Sequence, residues 1–153
     1  MLHFKIYNSN RDISAIEKEQ IIDFLFNHLD EFGDKKEDIS KAIDFALKIR
    51  NPSLSMIPLG GMVLTVKEKD EIAGCVVMNR TGMSGYIPDN ILVYIAVHRE
   101  YRGKGYGKEL MKKAIELTKG DIKLHVEPEN PARFLYEKIG FTSKYLEMRY
   151  KNN

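Results

Sequence analysis

The 153-residue chain predicts an α+β fold: a mixed, mostly antiparallel sheet of six to seven strands, with a parallel central pair and helices on both faces. Three observations lead there. Two stretches of helical periodicity come first, over residues 14–50. Runs rich in β-branched residues then cluster over residues 62–97, and a strand–helix–strand unit spans residues 91–126. Such a crossover makes its two strands parallel neighbours with a right-handed connection. The short charged turn between Val66 and Ile72 joins its strands antiparallel instead.

The elements follow in order. Leu2 to Tyr7 alternates in part and predicts a short strand. Ser14 and Glu17 form a capping box, in which hydroxyl and carboxylate satisfy the orphan amides of a helix start. Ile21, Leu25, Leu29 and Phe32 recur at spacings of four, four and three, and Gly33 is the expected stop. Ile39, Ile43, Ala46 and Leu47 carry a second helix to about Arg50, broken by Asn51-Pro52-Ser53. Met62–Val66 and Ile72–Met78 read as strands around the hairpin Glu68-Lys69-Asp70-Glu71. Thr81 to Gly85 is a loop. The unbroken apolar run Ile91–Val97 predicts a strand buried on both faces. Leu110, Met111, Ala114, Ile115 and Leu117 mark a helix that Gly120 ends, and Ile122–Val126 is another strand. Pro131 suits the opening of a last helix, which runs to about Ile139 and closes at Gly140. Phe141 to Tyr150 reads as one or two further strands.

Composition bounds the function. The length fits a single domain, residues 1–153. An apolar share of 43%, a charged share of 30% and a net charge of +2 exclude a disordered chain. Ile91–Val97 falls far short of the ~18 apolar residues of a membrane span. Met1 to Tyr7 lacks the apolar core of a secretory leader, and Cys75 is the only cysteine, so the expected location is the cytoplasm, away from membranes. No zinc-ligand spacing is present, so no metal is expected. The near-neutral total argues against nucleic acid as a partner, but the charge is unevenly spread. Asn10–Arg50 holds 10 acids against 7 bases, whereas His98–Lys123 holds 8 bases against 4 acids.

The basic segment contains Arg102-Gly103-Lys104-Gly105-Tyr106-Gly107-Lys108, between the buried strand and an amphipathic helix. Glycines let a ligand approach the backbone, and a helix start offers free amides and a positive dipole end. Together these make a phosphate cradle. The Walker pattern fails, since three residues rather than four separate Gly103 from Gly107 and Glu109 replaces the hydroxyl residue. The dinucleotide fingerprint fails on glycine spacing. The pattern Arg/Gln-x-x-Gly-x-Gly/Ala is matched in full by Arg102, Gly105 and Gly107.

With this turn and the later run Asn130-Pro131-Ala132-Arg133-Phe134-Leu135-Tyr136-Glu137-Lys138-Ile139-Gly140-Phe141, the chain resembles the GNAT superfamily of N-acetyltransferases. The resemblance covers residues 91–141, with compatible element order over the whole chain. It implies acetyl-CoA as cofactor. The amides of Arg102, Gly103, Lys104, Gly105, Tyr106, Gly107 and Lys108 would hold the pyrophosphate, and the backbone of Ile95, Ala96 and Val97 would pair with the pantetheine arm. Asn130 and Arg133 would lie near the cofactor at the last helix. A bulge in the strand Ile91–Val97, and a splay from the strand at Ile122, would make room for the thioester. Arg99 stands where the family often has proline, and Asn130 and Tyr136 are six residues apart where seven is usual. Ile91 replaces a frequent acidic residue.

The implied reaction is acyl transfer to a primary amine of a small molecule or peptide. An alkyl ammonium of pKa ~10.4 must first lose a proton. His125 and Tyr94 are the candidate bases, and Tyr136 the candidate acid for the departing thiolate. Asp30, Glu31, Asp34, Glu37 and Asp38 would attract a cationic acceptor. The competing reading is a non-catalytic acetyl-CoA-binding sensor or interaction module. The resemblance also leaves a homodimer open.

Overall fold

The structure, a computed structural model, describes residues 2–153. Five strands form one sheet in the order of the chain: β1 (His3–Tyr7), β2 (Gly61–Glu68), β3 (Glu71–Arg80), β4 (Asn90–Val97) and β5 (Ile122–Leu124). The first four are antiparallel, and β4 and β5 are parallel. Helices α1 (Ala15–His28) and α2 (Lys36–Leu47) cover one face, where Ile21, Leu25, Ile39, Ile43 and Leu47 pack on Val63, Cys75, Val77 and Tyr94. Helices α3 (Tyr106–Leu117) and α4 (Ala132–Ile139) cover the other, with Leu110, Met111, Ala114 and Tyr136 on Leu64, Val66, Val76 and Leu92.

The local signals act as their chemistry dictates. The Ser14 hydroxyl accepts the Glu17 amide at 3.1 Å and the Glu17 carboxylate accepts the Ser14 amide at 3.0 Å, so the capping box opens α1. Lys69 and Asp70 both take positive φ, 50° and 66°, the twist a two-residue hairpin requires. Gly140, at φ 125°, closes α4.

Three expectations need correction. Helix α1 stops at His28, not Gly33, because Asp30 turns to φ 56° and residues Asp30–Phe32 form a 3-10 turn. The run Ile91–Val97 is not buried on both faces; burial alternates along β4. Six to seven strands reduce to five among the described residues. Residues 141–153 pair with no strand, and Tyr145, Leu146, Met148 and Tyr150 stay exposed. Their period-two pattern is that of a strand, but a strand forms only where an edge receives it, and β5 offers three residues.

Candidate active site

The turn after β4 is built to leave amides free. His98 caps a 3-10 turn at Arg99–Tyr101, its Nδ1 accepting the Glu100 amide at 3.1 Å. Gly103 and Gly105 then take φ 79° and 86°, conformations costly for any residue with a Cβ. Nothing lies within 4 Å of where a Cβ on either would project, so the space above the turn is open. Helix α3 starts directly afterwards. Glu109 is its first residue to donate back into the turn, to the Gly105 carbonyl at 3.1 Å, leaving the amides of Tyr106, Gly107 and Lys108 as the free donors of a helix start. Lys104 and Lys108 are exposed beside them. Tyr106 is buried, and its hydroxyl donates to Glu68.

Upstream of the turn, the sheet parts. Opposite β4, Val77 pairs with Tyr94 but the next residue, Met78, pairs with Leu92, so Val93 is an extra residue, a β-bulge. The bulge puts Val93 and Tyr94 both on the α1/α2 face, whereas Leu92, Ile95 and Val97 face α3 and α4. Strand β5 pairs only with Asn90, Ile91 and Leu92. Beyond Leu92 the β5-side edge of β4, including Ile95, Ala96 and Val97, has no strand beside it. The lower end is fixed by Asn90, whose Nδ2 donates to the Lys119 and Asp121 carbonyls at 2.7 and 3.2 Å.

The candidate side chains fall on both sides of this gap. Tyr136 lies on the α3/α4 side, 7% exposed, its ring 6.0 Å from that of Phe141. Burial pushes its hydroxyl up to about 12, so it keeps its proton at neutral pH. His125 is exposed and lies just past the end of β5, not within a strand. At the start of α4, the Asn130 side-chain oxygen accepts the Ala132 amide at 2.9 Å, and Arg133 is exposed.

On the α1/α2 side, the Tyr94 hydroxyl donates to Asp34 Oδ2 at 2.6 Å. Burial first, and then the Asp34 carboxylate, push the Tyr94 hydroxyl far above the usual tyrosine range. Tyr94 therefore keeps its proton at neutral pH and holds it against the Asp34 carboxylate. Asp34 belonged to the acidic stretch, but nothing in the sequence singled it out from its neighbours.

Of the amides expected to hold the pyrophosphate, that of Arg102 donates to the Arg99 carbonyl at 3.5 Å. The Arg102 guanidinium donates to the Val97 and His28 carbonyls at 3.0 and 2.6 Å and to Asp30 at 2.9 Å. Ligand atoms of Glu71, His98 and Glu100 lie within 4.8 Å of one another. They do not make a metal site as arranged: His98 Nδ1 accepts an amide proton, which leaves its own ring proton on Nε2, and Glu71 accepts the Tyr101 hydroxyl at 2.8 Å. Among the described residues no helix is long and apolar enough to cross a membrane.

A bulged strand thus leaves its parallel neighbour just before a glycine turn and a helix start. The model of the acetyltransferase (GNAT) domain matches residues 60–143, more than half of the chain, and the chain belongs to that family. No curated protein matches it. Solved structures that are similar share the fold. A GNAT-family acetyltransferase from Streptococcus pneumoniae is 18% identical, with 99% of this chain and 98% of that one covered, at TM-score 0.68. A protein from Pyrococcus horikoshii is 23% identical, with 95% and 93% covered, at TM-score 0.66. The ribosomal-protein-S18-alanine N-acetyltransferase of Escherichia coli is 14% identical, with 94% and 80% covered, at TM-score 0.61.

Proposed function

We propose that this chain is an acetyl-CoA-dependent N-acetyltransferase whose acceptor is the primary amine of a cationic small molecule or peptide. The observation that carries the reading is the parting of β4 from β5 at the Val93 bulge, immediately before a turn of left-handed glycines and free amides. The residues fit the ligand, because the space over Gly103 and Gly105 is open where a side chain would fill it. The amides of residues 103–108 would hold the pyrophosphate, with Lys104 and Lys108 adding charge. The unpaired edge at Ile95, Ala96 and Val97 would pair with the pantetheine arm, although the Val97 carbonyl is already engaged by Arg102. Asn130 and Arg133 are the further candidates for cofactor contact.

Acetyl-CoA supplies the acetyl group as a thioester. Tyr136 holds a proton at Oη and can donate it to a departing thiolate. Asp34 lies on the far face of the sheet and supplies negative charge that draws an ammonium and a carboxylate that can take its proton. Tyr94 orients that carboxylate by donating to it. His125 is the second candidate for the proton, exposed past β5.

Free-thiol release from acetyl-CoA against a panel of polyamines, lysine peptides and aminosugars tests the reading. Turnover with at least one cationic amine is expected. Coenzyme A binding by calorimetry without thiol release on any amine would overturn catalysis and favour a sensor. No coenzyme A binding would overturn the cofactor assignment.

A further inference from the structure

Two arginines, Arg99 at the start of the 3-10 turn and Arg102 just after it, reach across to the end of α1. Arg99 donates from Nε and from a terminal nitrogen to Asp30 Oδ1 at 2.9 and 2.5 Å, and from that nitrogen to the Asn27 carbonyl at 2.6 Å. Its backbone amide donates to His28 Nδ1 at 3.3 Å. Arg102 takes the other carboxylate oxygen of Asp30 and the His28 carbonyl. Asn27 and His28 are at the C-terminus of α1, where carbonyls lack helical partners and cations are favoured. Asp30 is held at φ 56°, a conformation that aspartate tolerates better than most residues. The two guanidiniums hold its carboxyl below the usual carboxylate range. The His28 ring also packs against that of His98, tilted by 34° with centroids 4.2 Å apart. Four residues after Asp30, on the same connection, Asp34 binds Tyr94 at the bulge.

We infer that Asp30 is a positioning residue: by gathering Arg99 and Arg102 it fixes the phosphate turn against the α1–α2 connection that borders the acceptor side. The inference rests on the turn being the cofactor's phosphate site, and it reassigns Arg102. The guanidinium of Arg102 is a strut, and the ionic contact to phosphate falls to Lys104 and Lys108.

Two measurements test this. The first needs no ligand. Asp30→Gly removes the carboxylate and suits the positive φ, so the backbone conformation is retained. Amide hydrogen exchange at Arg99, Glu100, Tyr101 and Arg102, whose amides are hydrogen-bonded in the free protein, should accelerate at least tenfold in Asp30→Gly, and partly recover in Asp30→Asn, which keeps one acceptor oxygen. Unchanged exchange in Asp30→Gly overturns the inference, whether or not the protein binds coenzyme A. The second is calorimetry of coenzyme A across ionic strength. Arg102→Gln should weaken binding about three- to tenfold with the wild-type salt dependence, whereas Lys108→Gln should flatten that dependence. Asp30→Gly combined with Arg102→Gln should bind no worse than the weaker single variant, because the two act as one unit. An Arg102→Gln variant that flattens the salt dependence as Lys108→Gln does, or single effects that multiply in the double variant, would refute the strut. A wild-type chain that binds no coenzyme A would defeat the cofactor reading instead, and the exchange data would still decide the clamp.

Discussion

Alanine at Gly105 separates the cost of a backbone conformation from the cost of a lost ligand. Gly105 sits at φ 86° with no atom within 4 Å of a prospective Cβ. The methyl group therefore meets no protein, and the whole native penalty is left-handed strain, about 1–2 kcal/mol. Restricting the unfolded chain returns about 0.4–1 kcal/mol. The net loss is about 1 kcal/mol, which for a domain of this size lowers Tm by about 2–4 °C. The same methyl group projects into the space over the free amides, where the pyrophosphate would lie. Coenzyme A affinity should therefore fall at least tenfold, equivalent to about 1.4 kcal/mol. Scanning calorimetry and titration calorimetry on one protein preparation read both quantities. An affinity equal to wild type, with Tm lowered as expected, would show that the turn is not the phosphate cradle.

Three further outcomes are expected. Tyr136→Phe keeps the buried ring and removes the proton, so kcat should fall about a hundredfold with coenzyme A affinity unchanged; undiminished kcat would eliminate the acid role. A Cβ at Gly74, in β3, would lie 2.3 Å from Leu110 Cδ1 and 3.2 Å from Val66 Cγ1, so Gly74→Ala forces the buried Leu110 side chain to shift. It should lower stability by about 1–3 kcal/mol, and urea midpoints showing partial restoration by Leu110→Ala would confirm the clash. Glu17, which accepts from Lys5 at 2.5 Å and Tyr7 at 3.0 Å, titrates at about 2 instead of 4.5 in the fold, chiefly because of Lys5. Its stabilisation is whole above about pH 4.5 and vanishes as pH falls toward about 2. The Tm difference between wild type and Glu17→Gln should close over that window, and a constant difference would contradict the assignment.

The parts legible in the sequence are those governed by neighbours along the chain. The Ser14–Glu17 box, the hairpin at Lys69 and Asp70, and the limits of α4 follow from contacts within a few residues. The phosphate turn was legible for the same reason, since three glycines and a helix start stand in seven consecutive residues. The contacts that complete the site are long-range. Asp34 meets Tyr94 from 60 positions away and Asp30 meets Arg99 from 69, and no spacing rule connects them. Composition reveals the charge of Arg102 but not its direction, toward Asp30 and the end of α1. A bulge in this strand was expected from the family resemblance, but its place at Val93 leaves no trace in an uninterrupted apolar run, where a one-residue shift of face replaces one hydrophobic residue by another. The tail shows the converse, in which alternation at Leu146, Met148 and Tyr150 is present but the partner edge is not.

Cys75 lies on β3 beneath α1 and α2, fully buried, and burial raises its thiol well above the usual range. The chain thus carries one sulfhydryl, and in the native state it is neither ionised nor reachable. A chromogenic thiol reagent added to a turnover mixture will consequently report coenzyme A alone, with no background from the protein. Without acetyl-CoA, the rate at which the same reagent labels the chain becomes a clock for opening of the sheet's α1/α2 face. Ligands that slow that clock can be ranked by it before any acceptor is known.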